Sequence, residues 1–87
     1  MFVIMVYDIG EERVAKILKT SRKYLNWVQN SVFEGDLTQA KMLKLQSELK
    51  EIMKKKQDSV IFYTFKTKKY HEKIVIGVDK SPVENIL

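Results

Sequence analysis

The chain opens on an unbroken apolar run, Met1 to Tyr7, that stops at Asp8. Phe2 to Tyr7 show no alternation of apolar and polar residues, so both faces of this segment are expected to be buried, as in a central strand. The run is too short for an ordinary helix and rich in strand-forming residues. Asp8 leaves that strand in one of two roles. Asp8-Ile9-Gly10-Glu11 has the spacing of a capping box, with Asp8 as the N-cap and Glu11 reaching back. Alternatively, a carboxylate at the end of a rigid buried strand is well placed for chemistry.

The next pattern is helical. Over Glu11 to Tyr24, Val14, Ile17 and Leu18 fall on one face, while Arg13, Lys16, Lys19 and Lys23 fall elsewhere. Acidic residues open this helix and basic residues close it, in keeping with the helix dipole. Trp27 to Phe33 then alternates in the half-polar manner of an edge strand, and Glu34-Gly35-Asp36 reads as a turn. A second helix, capped by Asp36 or Thr38, runs to about Lys54 with Met42, Leu45, Leu49 and Ile52 as its apolar stripe. Val60 to Phe65 is a second nearly continuous apolar strand. Lys66 to Lys73 reads as a basic loop holding the only histidine, His71, to which no role is assigned. Ile74 to Val78 is the last strand, and Lys80-Ser81-Pro82 turns the chain into a partly apolar tail, Val83 to Leu87.

The expected fold class is α+β: a ferredoxin-like βαββαβ domain over residues 1–79, with a four-stranded antiparallel sheet covered on one face by two helices. The first strand and the Val60–Phe65 strand lie in its middle. Residues 80–87 form a tail able to add a short strand to a partner protomer. That fold hosts many activities and names none of them.

At 87 residues there is room for one domain. A domain of this size buries only about two-thirds of the surface its unfolded chain exposes. With no cysteine to supply a disulfide, association into a homodimer is an expected source of stability. The absence of cysteine also excludes the usual structural zinc site and fits a cytoplasmic location. The apolar start lacks the basic leader of a secretory signal, and no stretch reaches the ~20 apolar residues that span a membrane. A net charge of +5 favours an anionic partner.

Three pieces carry a resemblance. They are Val6-Tyr7-Asp8-Ile9 at the end of the first strand, a following helix bearing Arg13 and several lysines, and Val28-Gln29-Asn30-Ser31-Val32-Phe33-Glu34. Together, and at this separation, they resemble the small CRISPR-associated adaptation proteins, over nearly the whole chain. The family is known both as a metal-dependent endonuclease and as the central dimer of the spacer-integration complex. The resemblance implies that Asp8 is the catalytic, metal-binding carboxylate, one from each protomer, holding a divalent metal such as magnesium. Arg13 matches a family arginine, Lys16, Lys19, Arg22 and Lys23 are candidates by charge alone, and with Tyr7 these are the expected nucleic-acid-binding positions; the resemblance also implies a CRISPR integrase subunit as a partner. Leu25 and Trp27 stand where many members have a glycine and a basic residue, so no phosphate contact is expected from that strand position.

Three functions are then in competition. One is a nuclease that cuts RNA or DNA at paired Asp8 residues. Another is a basic structural subunit that binds duplex DNA for an integrase. The third is an RNA-recognition module on the same fold, which lacks its Gly-aromatic pattern over Asp58 to Phe65.

Overall fold

The computed structural model describes residues 1–67 and 70–80; of Tyr70 it describes the backbone. The elements are β1 (Phe2–Asp8), α1 (Glu11–Arg22), β2 (Asn26–Gln29), β3 (Val32–Asp36), α2 (Gln39–Ile52), β4 (Ser59–Thr67) and β5 (Tyr70–Gly77). The strands form one sheet in the order β2-β3-β1-β4-β5, with every neighbouring pair antiparallel. The first six elements are βαββαβ, the ferredoxin-like order, and β5 adds a fifth strand at the edge.

Three expectations are corrected. Trp27 to Phe33 is not one strand but parts of two, joined at Asn30-Ser31, and Glu34-Gly35-Asp36 lies inside β3 rather than in a turn. Asn30 takes a positive φ of 45°, a conformation that asparagine tolerates better than most residues. Trp27 sits opposite Phe33 across the hairpin, so the alternation survives the turn and hides it. Lys66 to Lys73 is likewise not a loop: both ends belong to the β4–β5 hairpin, where Phe65 pairs with His71 and Tyr63 with Lys73. An edge strand carries such charges readily because one side of it faces water. The tail from Ser81 to Leu87 lies outside the described residues.

The strands present two unlike faces. Val3, Met5 and Tyr7 of β1, Phe33 of β3, Val60 and Phe62 of β4 and Ile76 of β5 are buried with Ile17 of α1 and Met42, Leu45 and Leu49 of α2. This single core lies between the sheet and the two helices. The alternate residues of β1, Phe2, Ile4 and Val6, are only half-buried on the face the helices leave uncovered. Their partners there are Phe65, Tyr63 and Ile61 of β4. The Phe2 and Phe65 rings lie with centroids 6.4 Å apart.

The helices are tied at both ends. Thr38 caps α2 by accepting a hydrogen bond from the Lys41 amide at 3.2 Å. At the far end of α1, Tyr24 donates its hydroxyl hydrogen to Glu48 of α2, and Lys23 pairs with the same carboxylate at 2.5 Å. Lys23, then Tyr24, lower the pKa of Glu48, while Glu48 raises that of Tyr24. Among the described residues no helix is long and apolar enough to cross a membrane.

Candidate functional site

Alternation along β1 decides where Asp8 points. Phe2, Ile4, Val6 and Asp8 share one face of a strand whose side chains repeat every two residues, so Asp8 ends the half-buried row on the uncovered face. Its side chain is 67% exposed. Opposite it in β4 stands Ser59. The two border a cleft of about 310 Å³ that is also lined by Val6, Tyr7, Ile61, Tyr63 and Lys80. The Lys80 ammonium lies 3.3 Å from Oδ2 of Asp8 and donates to the Gln57 carbonyl at 2.9 Å.

The capping alternative for Asp8 does not hold. The N-cap of α1 is Gly10, and no side chain caps this helix. Its first turn is instead balanced by Glu11 and Glu12. The Gly10 amide is satisfied from elsewhere in the chain, by Oδ1 of Asp58 at 2.8 Å.

In the sequence Asp58 does no more than precede the apolar run of β4, yet it organises this end of the molecule. Its carboxylate is fully buried and accepts four hydrogen bonds. Besides Gly10, the donors are Nε and Nη2 of Arg13 at 2.6 and 2.7 Å and the Lys54 amide at 2.8 Å. Arg13 first, then the Lys54 and Gly10 amides, hold the Asp58 carboxyl well below the usual carboxylate range against the opposing effect of burial. In return, Asp58 raises the Arg13 guanidinium above its ordinary value. The Asp58 carbonyl also accepts from the Val78 amide at 2.9 Å.

Two glycines make room for this pair. A Cβ on Gly10 would come within 2.3 Å of Nη2 of Arg13. One on Gly77, whose φ is +83°, would come within 2.1 Å of the Asp58 carbonyl oxygen.

Two nucleic-acid-binding assignments are therefore corrected. Arg13 is 8% exposed and committed to Asp58, with Nη1 on Glu12, so its guanidinium is a structural group rather than a phosphate contact. Tyr7 points into the core beside Phe33, and its hydroxyl donates to the Asn30 carbonyl at 3.3 Å. Lys16, Lys19, Arg22 and Lys23 are exposed on or just beyond α1, and none of them lines the cleft at Asp8. Leu25 is a core residue, whereas Trp27 is 55% exposed on the edge strand, with its indole N–H donating to the Asn30 carbonyl.

Among the described residues no group of three or more His, Cys, Asp or Glu side chains stands close enough to hold a metal. Asp58, the acid next in sequence to Ser59, is consumed by Arg13. Among the described residues, one chain thus offers a metal a single exposed carboxylate at this cleft, and that one is paired with Lys80. That donor set fits magnesium, which is often held by one or two carboxylates together with substrate phosphates, only where further oxygens come from outside the chain.

The chain is thus a ferredoxin-like α+β domain with one exposed acid at the end of its central strand, on the face its helices leave open. It belongs to the CRISPR associated protein Cas2 family, whose profile matches residues 1–73. It is 49% identical over 87 residues to the CRISPR-associated endoribonuclease Cas2 of Dictyoglomus turgidum, covering all of both chains. To the protein of the same name from Thermotoga maritima it is 52% identical over 80 residues, 92% of each chain. A solved structure described as the crystal structure of cas2 superimposes with a TM-score of 0.74 at 48% identity, covering 100% of this chain and 98% of the other.

Proposed function

We propose that this protein acts in CRISPR spacer acquisition as a homodimeric nucleic-acid-binding subunit, with Asp8 as the acid of a metal-dependent endonuclease acting on RNA or DNA phosphodiesters. The observation that carries this reading is the position of Asp8: rigidly based, exposed, and on the uncovered face of the sheet. A second copy packed on that apolar face brings its own Asp8 toward the first. Two carboxylates so placed repel each other unless a cation lies between them, and together they fit a divalent metal that one alone does not. The metal, when bound, offsets charge on the phosphodiester and makes a water more acidic. The chain's own part is to hold the carboxylate at the cleft mouth, with Ser59 opposite it across the strand pair.

The names of the relatives support endonuclease activity on RNA. The single acid per chain, with no general base beside it among the described residues, also supports a scaffold role in which an integrase subunit does the chemistry. In both readings the exposed cations Lys16, Lys19 and Arg22 meet the nucleic-acid backbone, a contact that positions without reading sequence.

Asp8→Asn separates the two. Asp8 caps no helix, so the variant should fold and self-associate normally. In the nuclease reading it loses roughly a hundredfold or more of magnesium-dependent cleavage. Wild-type cleavage by Asp8→Asn would remove Asp8 from catalysis. Loss of cleavage with intact spacer integration alongside the integrase would make the scaffold role the principal one.

A further inference from the structure

The contact between Lys80 and Asp8 spans 72 residues of sequence and closes the cleft mouth with a positive charge. Exposed Lys–Asp pairs usually contribute little, because two long side chains must be held in one geometry. Here both backbones are held by one buried residue. Asp58 fixes the Gly10 amide with its side chain and the Val78 amide with its carbonyl. Asp8 stands two residues before Gly10, and Lys80 two residues after Val78. The positive φ of Gly77 turns the chain off β5 at that point. The ammonium is further fixed by the Gln57 carbonyl, so two of its three donors are engaged at the cleft.

We propose that Lys80 is a tethered counter-cation of Asp8, occupying the place a divalent metal would take and competing with it for Oδ2. This rests on the reading of Asp8 as a metal-binding carboxylate. An ammonium 3.3 Å from Oδ2 would compete with any cation held by that oxygen. A divalent ion must displace the lysine or bind beside a like charge, and either course weakens its binding. The metal requirement of the protein is thereby set higher than the bare carboxylate would set it. In the metal-free protein the same lysine offsets the charge that Asp8 brings to the uncovered face.

The test is Mn²⁺ binding to the full-length protein, followed by the electron paramagnetic resonance signal of the free ion, with circular dichroism confirming the fold of each variant. Lys80→Gln should bind Mn²⁺ roughly fivefold more tightly than wild type. Lys80→Arg, which keeps the charge, should retain the wild-type affinity, and Asp8→Asn should lose binding. Unchanged or weaker binding by Lys80→Gln, with Asp8→Asn still losing it, overturns the competition and leaves the Asp8 reading standing. Wild-type binding by Asp8→Asn overturns both.

Discussion

Asp58 and Arg13 are the two side chains on which the position of the site depends. A buried carboxylate with four donors is stabilised as an anion, so its folded pKa lies below its unfolded one. The unfolded chain therefore takes up a proton first. The contribution of Asp58 is complete above about pH 4, the ordinary carboxylate value, and is lost as the pH falls toward the lower folded value. Asp58→Asn should melt more than about 10 °C lower than wild type at neutral pH, because it leaves the Arg13 charge buried without its partner. Its stability should also decline less steeply than that of wild type below about pH 4. Thermal melts from pH 2 to 7 check both; parallel curves would dismiss the ion pair as a stabilising element. Asp8 could be singled out in the sequence because it ends an apolar run. Asp58 could not, because Asp-Ser before an apolar run is also how a turn reads, and its partner Arg13 is 45 residues away. Charge and resemblance both point Arg13 at phosphate, and neither carries information about burial.

At the scale of elements, long apolar runs were the most legible. β1 and β4 emerge as adjacent interior strands, and the helices begin where acidic and hydroxyl residues place them. The hairpin β2–β3 was obscured because its strands are short and its two-residue connection keeps the parity of the alternation. Its turn rests on Asn30 at φ 45°, whose carbonyl accepts from both Tyr7 and Trp27. Asn30→Val forces a β-branched residue into the left-handed region and should cost about 1–2 kcal/mol in urea unfolding, whereas Asn30→Gly should be close to neutral. A valine variant as stable as wild type would mean the turn is readily remodelled. β5 extends further toward β4 than its apolar portion suggests, because pairing along a sheet edge depends on the backbone more than on side-chain polarity. The Lys66–Glu72 contact at 3.9 Å shows charge meeting charge there.

For the molecule as a whole, an antiparallel sheet covered on one side leaves a choice for the other: polar and wet, or apolar and partnered. Here the row Phe2, Ile4, Val6 lies against Phe65, Tyr63 and Ile61, an apolar patch of the kind that marks an interface. The unbroken apolar run of β1 already asks for cover on both faces, and the side the helices leave open, where Phe2, Ile4 and Val6 are half-buried, is the surface available to the proposed self-association. Ile4→Glu places a charge at the middle of that row in both copies of the proposed dimer. It should raise the dimer dissociation constant roughly a hundredfold or more by sedimentation, with the helix-side core intact by circular dichroism. A variant that sediments as tightly as wild type would move the interface elsewhere.

The two glycines beside the Arg13–Asp58 pair bear on how this sequence can drift. A methyl group at position 10 collides with the guanidinium, and one at position 77 with the Asp58 carbonyl. The obstacle at 77 is backbone, and it remains whatever residue stands at 58. The obstacle at 10 is a side chain, and it disappears once Arg13 is replaced. Alanine at position 10 thus displaces the guanidinium from its pairing with Asp58 unless the arginine has already been lost. Once taken, that step hinders the arginine's return to its place on Asp58, so the order of substitution, and not only the set of residues reached, bears on which descendants keep the ion pair.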